Sequence, residues 1–117
     1  MKFSYKPLFW IYIICAFACM QLCASRILCL HGGGGNAASL QYQSGMQDLI
    51  AAMPDCEFIF ASSPISGGVW YNDPPGGGKD PTYDPNWADV SVNYLNDFIE
   101  ANGPFDAILG YSQGVPM

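Results

Sequence analysis

The serine best placed for nucleophilic chemistry lies in the pentapeptide Gly-Tyr-Ser-Gln-Gly at positions 110–114. The Gly-x-Ser-x-Gly spacing is typical of a sharp strand-to-helix turn that presents a serine hydroxyl, because the positions beside a strained serine leave room for little more than hydrogen. Three matching letters also occur by chance, but this motif begins where an apolar run at 105–109 ends. We therefore predict that Ser112 is a catalytic nucleophile.

A second motif, His31 followed by four glycines, could supply the polar groups that such a serine needs. Acyl transfer passes through a tetrahedral oxyanion, which backbone N–H groups stabilise, and glycine lets the backbone approach it closely. We assign one donor to the N–H of Gln113, directly after the nucleophile. The other is assigned to Gly33, with Gly32 as its nearest competitor.

His31 is the single histidine of the sequence, which makes it a candidate for the general base. We reject that role because, in hydrolases with this motif, the base follows the nucleophile in the order Ser, Asp, His. No histidine follows Ser112 in these 117 residues. A serine hydroxyl without a base is a poor nucleophile, so this chain alone is expected to be inactive.

Three apolar runs, at 26–30, 57–61 and 105–109, are typical of buried parallel strands. Helical spacing of apolar residues lies between the first two runs and again before the third. A strand-helix-strand order implies right-handed parallel crossovers. We therefore predict an α/β fold, with the glycine loop and the Ser112 turn each following a strand.

The helix ends carry recognisable signals. Either Asn36 or Ser39 can cap the first helix, which is predicted to continue until Pro54 ends it. Asp89 can cap the second helix, and a left-handed cap is expected at Gly103, before a proline.

The stretch 64–88 is rich in glycine, proline, aspartate and aromatic residues and is predicted to be a long loop. Its aromatic side chains are candidates either to wall a substrate pocket or to anchor the loop: Trp70, Tyr71, Tyr83 and Trp87. Its aspartates lack the spacing of an EF-hand, and Gly78-Lys79 lacks the other residues of a phosphate-binding loop. We predict no metal and no cofactor.

The segment from Met1 to Ala24 has the features of a signal peptide. Two lysines precede an apolar run at 8–20, and Leu22-Cys23-Ala24 resembles a cleavage site. Cleavage after Ala24 would leave a domain at 25–117 and direct it to the secretory pathway or the cell exterior. The apolar run is shorter than the ~20 residues of a membrane span, so membrane contact is expected only through an uncleaved leader, which would anchor the chain.

The charge of residues 25–117 argues against one class of partner, and their cysteine content argues against a disulfide framework. Residues 25–117 hold two basic residues, Arg26 and Lys79, against all ten acidic ones, which makes nucleic acid an improbable partner. The same part of the chain holds only Cys29 and Cys56, which is no disulfide framework. Two buried thiols are expected, with a bridge between them as the alternative.

The chain resembles the FSH family of fungal-type serine hydrolases, which is related to ovarian-tumour-suppressor-like hydrolases. The resemblance rests on Ile-Leu-Cys-Leu-His-Gly at 27–32 and on Asn-Gly-Pro-Phe-Asp-Ala-Ile-Leu-Gly-Tyr-Ser-Gln-Gly at 102–114. It implies an α/β-hydrolase-type parallel sheet with flanking helices, a small-molecule carboxylic ester as substrate, and Ser112 as nucleophile. It also implies an Asp and a His downstream of Ser112, so the fold is expected to be incomplete here, truncated after the nucleophile turn, with the C-terminal strands and helices missing.

Two other interpretations stay open. One is a catalytically inactive, truncated or decayed relative of such hydrolases. The other is a dinucleotide-binding module, because Gly32-x-Gly34-x-x-Ala37 follows a strand and opens a helix. A dinucleotide-binding site also needs an acidic residue at the end of the second strand to bind the ribose hydroxyls, whereas Glu57 stands at the start of that strand.

Overall fold

The computed structural model describes residues 24–117, so all but the last residue of the predicted leader lies outside the described range. None of the helices in this range is both long enough and apolar enough to cross a membrane. The elements follow in the order β1 (Arg26–Leu30), α1 (Ala37–Gln41), α2 (Ser44–Ala52), β2 (Glu57–Ala61), α3 (Asp89–Asn102) and β3 (Ala107–Gly110). A three-residue 3-10 turn at Ser112–Gly114 follows β3.

The three strands form one parallel sheet in the order β2-β1-β3. Leu30, the last residue of β1, lies opposite Ala61 on one side and Gly110 on the other. The carboxyl ends of all three strands therefore meet at one edge of the sheet. The predicted α/β architecture is confirmed, and the topology brings the glycine loop after β1 next to the turn after β3.

The strand β1 supplies the centre of two apolar clusters, one on each face of the sheet. Leu28 and Leu30 face the cluster that contains Trp70 and Leu95 of α3. The alternate side chains of the same strand, Ile27 and Cys29, face the other cluster. There they pack with Leu40 of α1 and Met46 of α2. This alternation is the period-two pattern of a strand buried on both faces.

Both cysteines of the described range are free thiols, so the disulfide alternative is wrong here. Cys29 is fully buried in β1, whereas Cys56 lies at the edge of the same cluster. Burial raises the pKa of the Cys29 thiol to about 11, because the thiolate would lose its hydration. Cys29 therefore stays protonated near neutral pH and acts as a small apolar side chain.

The first predicted helix is two helices. Asn36 caps α1 by accepting a hydrogen bond from the N–H of Ser39, and the Ser39 hydroxyl accepts from the N–H of Asn36 in return. Ser39 is therefore the reciprocal partner of the cap and not the cap itself. The helix stops at Tyr42, and the backbone at Gln43 is extended before α2 begins. Ser-Gly at 44–45 favours a new helix start over continuation, because both residues have low helix propensity.

The ends of α3 also differ from prediction. Asp89 is the first helical residue and makes no side-chain cap, since the cap position is taken by Ala88. Gly103 is extended rather than left-handed, with φ −76° and ψ −173°, and a cis peptide bond joins it to Pro104. The extended backbone agrees with the restriction that a proline places on the residue before it.

The third strand begins at Ala107, two residues later than predicted, because Phe105 and Asp106 make other contacts. Phe105 stacks on Phe98 of α3. The Asp106 carboxylate accepts a hydrogen bond from the Arg26 backbone N–H at 2.7 Å. The Arg26 side chain binds the Glu57 carboxylate and two carbonyl oxygens, that of Asn102 at the end of α3 and that of Pro104 in the segment before β3. Arg26 thus joins the start of all three strands.

Candidate active site

Ser112 lies at the tip of the turn that follows β3, with its side chain exposed. Its φ is 50°, and it is the one non-glycine residue of the range 24–117 with a positive φ. A left-handed backbone at an ordinary residue costs roughly 1–2 kcal/mol and persists only where the surrounding structure enforces it. The strained turn that the motif predicts is therefore present.

The glycines on either side of Ser112 are required by close backbone packing. A Cβ on Gly110 would lie 2.5 Å from the carbonyl oxygen of Gly114. A Cβ on Gly114 would lie 2.7 Å from the carbonyl oxygen of Leu30, in β1. The Tyr111 N–H donates to that same Leu30 oxygen at 3.0 Å, so the turn is packed directly on the end of the central strand.

The glycine loop after β1 runs against the nucleophile. A Cβ on Gly32 would lie 3.3 Å from the Cβ of Ser112. The amides of Gly34 and Gly35 are used within the protein, donating to Gly68 O and Gly32 O. Within residues 24–117 no acceptor is found for the amides of Gly32, Gly33 and Gln113. The candidate oxyanion donors Gln113 and Gly33, and the competitor Gly32, therefore have N–H groups without an acceptor in the described range. Gly32 lies against Ser112 itself, and Gly33 lies against the side chain of Gln113.

His31 is buried behind this loop, and both of its ring nitrogens are hydrogen-bonded. Its Nδ1–H donates to the carbonyl oxygen of Gly32 at 2.7 Å, and its Nε2 accepts from the N–H of Ser63 at 3.0 Å. This pairing uses the Nδ1–H tautomer, because a carbonyl oxygen can only accept and an amide N–H can only donate. The ring holds the glycine loop against the segment after β2, and its geometry gives it no part in activating Ser112.

Trp70 anchors the long loop and stands in the wall of neither hollow described below, which favours the anchor among its two predicted roles. It is fully buried, and its indole N–H donates to the carbonyl oxygen of His31 at 2.7 Å. Its own carbonyl oxygen accepts from the buried hydroxyl of Ser91 in α3. The loop is thereby attached to both the glycine segment and the helix.

Two hollows flank the turn. The smaller, about 150 Å³, lies between the glycine loop and Tyr111, with Ser39 and Gln43 in its wall. The larger, about 240 Å³, is walled by Tyr71 and Trp87, whose rings meet edge to face at 4.7 Å, and its wall includes Pro116, two residues after the turn. Tyr83, the remaining aromatic candidate, is 90% exposed and lines neither hollow.

Comparison of the sequence with known proteins identifies a family. Residues 20–117 match the family model described as Serine hydrolase (FSH1). The chain belongs to this family. The match covers the whole described range, whose three parallel strands and flanking helices fit an incomplete α/β-hydrolase-type fold.

Three relatives of this FSH1-family chain illustrate the match. It is 37% identical over 98 residues to Esterase alnB of Emericella nidulans, covering 76% of this chain and 33% of the relative. It is 33% identical over 95 residues to Hydrolase phiM of a fungal species, covering 76% and 41%. It is 30% identical over 104 residues to Esterase C25G4.2 of Caenorhabditis elegans, covering 79% and 47%. The chain spans less than half the length of these relatives, and no solved structure matches it significantly.

The same loop is unsuited to a dinucleotide. The amides that a pyrophosphate would need at the start of α1 are already bound within the protein: Ala37 N–H donates to Ser62 Oγ, and Ser39 N–H donates to Asn36 Oδ1. The Gly34 amide is likewise bound, to Gly68 O. Over residues 24–117, no three His, Cys, Asp or Glu side chains are grouped so as to hold a metal ion.

Two contributors to the site were not predicted from sequence. Ser91 is fully buried on the same face of α3 as Leu95, and a polar residue in that apolar stripe is a signal that could have identified it. The side chain of Gln113 binds the backbone of Trp70 and Tyr71. No local pattern predicts that contact, because its partners lie more than 40 residues away.

Proposed function

We propose that this chain carries the nucleophile of an esterase, a serine hydrolase that cleaves carboxylic esters through an acyl-enzyme on Ser112. The observation that carries the proposal is the exposed, left-handed Ser112 held against a glycine loop with unpaired amides. Two of the relatives bear the name esterase, which supports the choice of ester over other acyl substrates.

In this proposal the Ser112 Oγ attacks the ester carbonyl carbon while its proton passes to a general base. The carbonyl oxygen becomes an oxyanion that accepts hydrogen bonds from the N–H groups of Gln113 and Gly33. Collapse of the tetrahedral species expels the alcohol, which takes the proton, and leaves the acyl group on Ser112. Water then releases the acid by the reverse sequence.

The general base in this proposal is a histidine that follows Ser112 and is oriented by an aspartate. Within these 117 residues His31 is the single histidine, and both its ring nitrogens are bound to backbone groups. A chain with the serine and the oxyanion donors but no base would keep only a residual rate over water. The second candidate function, a catalytically inactive hydrolase relative, applies to the 117 residues taken alone.

The substrate is proposed to be a small, uncharged or cationic ester. The larger hollow beside the turn offers the edge and face of Tyr71 and Trp87 for an apolar acyl or alcohol group. The excess of acidic residues over 25–117 would repel an anionic substrate at a distance. The reaction needs no cofactor.

The leader is also a proposal. Met1 to Ala24 would direct the chain into the secretory pathway and leave Ser25 as the mature N-terminus. The expected result is an N-terminal peptide beginning at Ser25 when the protein is recovered from the culture medium of a eukaryotic host. Recovery of the intact leader in the membrane fraction would replace the secreted form by the anchored one, and recovery in the cytosol would contradict both.

The esterase proposal is tested with a fluorophosphonate probe and a p-nitrophenyl ester. The 117-residue chain is compared with the longer product, if the transcript continues past Met117. We expect the longer product to be labelled at Ser112, and the 117-residue chain, which lacks the base, to be labelled at most weakly. Ser112→Ala should remove the labelling of the longer product and lower its ester hydrolysis by roughly five to six orders of magnitude. Ser66→Ala, an exposed loop serine, is the matched control.

Each outcome bears on a different part of the proposal. Equal, positive labelling of the longer product and of its Ser112→Ala variant would exclude Ser112 as the nucleophile. Labelling of the longer product without ester hydrolysis would overturn the substrate class. Labelling of the 117-residue chain without turnover would support the inactive form for that product alone.

A further inference from the structure

The side chain of Gln113 makes two hydrogen bonds to consecutive residues of the long loop. Its Oε1 accepts from the backbone N–H of Trp70 at 2.8 Å, and its Nε2 donates to the carbonyl oxygen of Tyr71 at 3.1 Å. The carboxamide therefore pairs with the loop backbone as another strand would, with one donor and one acceptor in use. The side chain is half-buried, so these bonds are partly shielded from water.

The same carboxamide lies against the glycine loop. A Cβ on Gly33 would lie 3.2 Å from Gln113 Oε1 and 3.3 Å from its Cδ, which is tighter than an ordinary contact. The missing side chain of Gly33 thus makes room for the Gln113 amide. The Gln113 side chain therefore contacts both Gly33, the proposed oxyanion donor, and the Tyr71 wall of the larger hollow. Gln113 is also the residue directly after the nucleophile.

The two residues that Gln113 binds have different roles. Trp70 is already fixed by its indole bond to His31 and by the hydroxyl of Ser91. Tyr71 has fewer polar constraints: it packs against the apolar cluster that contains Trp70, meets Trp87 edge to face and walls the hollow. The hydrogen bond from Gln113 Nε2 is therefore the polar contact that sets where the Tyr71 backbone lies relative to Ser112.

We propose that the Gln113 side chain is a positioning residue that sets specificity, by holding the Tyr71 wall and the Gly33 loop in register with Ser112. The inference rests on the proposed esterase function and goes beyond it, since that function uses only the backbone N–H of Gln113. The side chain itself touches no reacting atom. It acts through Tyr71 on substrate fit and through Gly33 on the oxyanion donor.

Two substitutions separate the two bonds. Gln113→Glu keeps the shape and the acceptor for the Trp70 N–H but replaces the donor to Tyr71 O by a second carboxylate oxygen. Gln113→Met keeps the approximate volume and removes both bonds. Gln47→Met is the matched control, because Gln47 also donates from its side-chain amide to a backbone carbonyl, that of Gln41, on the exposed side of α1 and α2.

The first measurement is amide hydrogen exchange at Trp70, which needs no catalysis. We expect exchange at Trp70 to be at least about tenfold faster in Gln113→Met, because the acceptor is lost, and near the unaltered rate in Gln113→Glu. The control Gln47→Met should not change it. Unchanged protection in Gln113→Met would show that the side chain does not hold the loop and would overturn the proposal.

The second measurement is the labelling rate of Ser112 in the longer product with two fluorophosphonates, one carrying an ethyl group and one carrying a large aromatic group. We expect both Gln113 variants to raise the apparent inhibition constant for the aromatic probe by roughly three- to tenfold, the worth of one hydrogen bond, with a smaller change for the ethyl probe. A purely structural role would lower stability but leave the ratio between the two probes unchanged.

The failures are distinguishable. Normal labelling with an unchanged probe ratio in both variants would overturn the positioning role alone. Absence of Ser112 labelling in the otherwise unaltered longer product would overturn the esterase proposal and this role with it. If Gln113→Met does not fold, Gln113→Glu still decides the matter, since it disrupts only the bond to Tyr71.

Discussion

Alanine at Gly114 should abolish labelling of Ser112 and destabilise the fold by about 3 kcal/mol. The added Cβ would lie 2.7 Å from the carbonyl oxygen of Leu30 and 2.9 Å from that of His31. Both are backbone atoms at the end of the central strand, and neither can rotate away as a flexible side chain could. The turn must therefore move off the strand, which takes Ser112 out of reach of the glycine loop.

The prediction is checked by urea unfolding followed by circular dichroism, and by fluorophosphonate labelling of the longer product with the same substitution. Gly45→Ala is the matched control, since a Cβ there would have no neighbour within 4 Å and the position lies inside α2. Alanine at Gly45 should be neutral or stabilise by about 0.5–1 kcal/mol. Labelling of Gly114→Ala at the unaltered rate would show that the turn does not depend on this contact.

The second large effect is expected at Trp70. Trp70→Ala should lower the free energy of unfolding by about 3–5 kcal/mol, because it empties the largest fully buried side-chain volume of the described range. Trp70→Phe should lose less, about 1–3 kcal/mol, since it keeps most of the apolar contact but leaves the His31 carbonyl oxygen without the indole donor.

Far-UV circular dichroism in urea is the suitable measurement for these variants, because removal of a tryptophan alters the fluorescence itself. Trp87→Phe provides the comparison, since Trp87 is partly exposed at the larger hollow. It should change stability by less than either Trp70 variant. Equal losses at the two positions would mean that Trp70 is no more an anchor than Trp87.

Much of the fold could be predicted because its signals are local. The strands at 26–30 and 57–61 are short apolar runs bounded by polar or glycine-rich segments, and their limits were predicted correctly. The break between α1 and α2 was missed because apolar spacing continues through it, with Leu40 and Met46 both buried. The late start of β3 depends on Arg26, a residue 80 positions away from Asp106, which local pattern cannot reveal.

The same distinction applies to the candidate site. The strand-to-turn geometry at 110–114 and the glycine loop after β1 follow from motifs of a few residues, and both are present in the structure. The role of Trp70 could not be decided from sequence, because an aromatic residue in a long loop suits an anchor and a pocket wall equally. Its burial and its bond to His31 decide it, and both arise from contacts between distant segments.

The central position of β1 has a consequence for the order in which the protein is made. Its partner β3 is paired at a separation of 80 residues, as in the pair Ile27 and Ala107. At ribosomal rates of about 5–20 residues per second, β1 would wait roughly 4 to 16 seconds with one edge open. The bond from Tyr111 N–H to Leu30 O is then among the last to form. A nascent chain therefore cannot hold Ser112 in its strained conformation before β3 has paired with β1. Formation of the nucleophile turn thus indicates that this part of the sheet has folded.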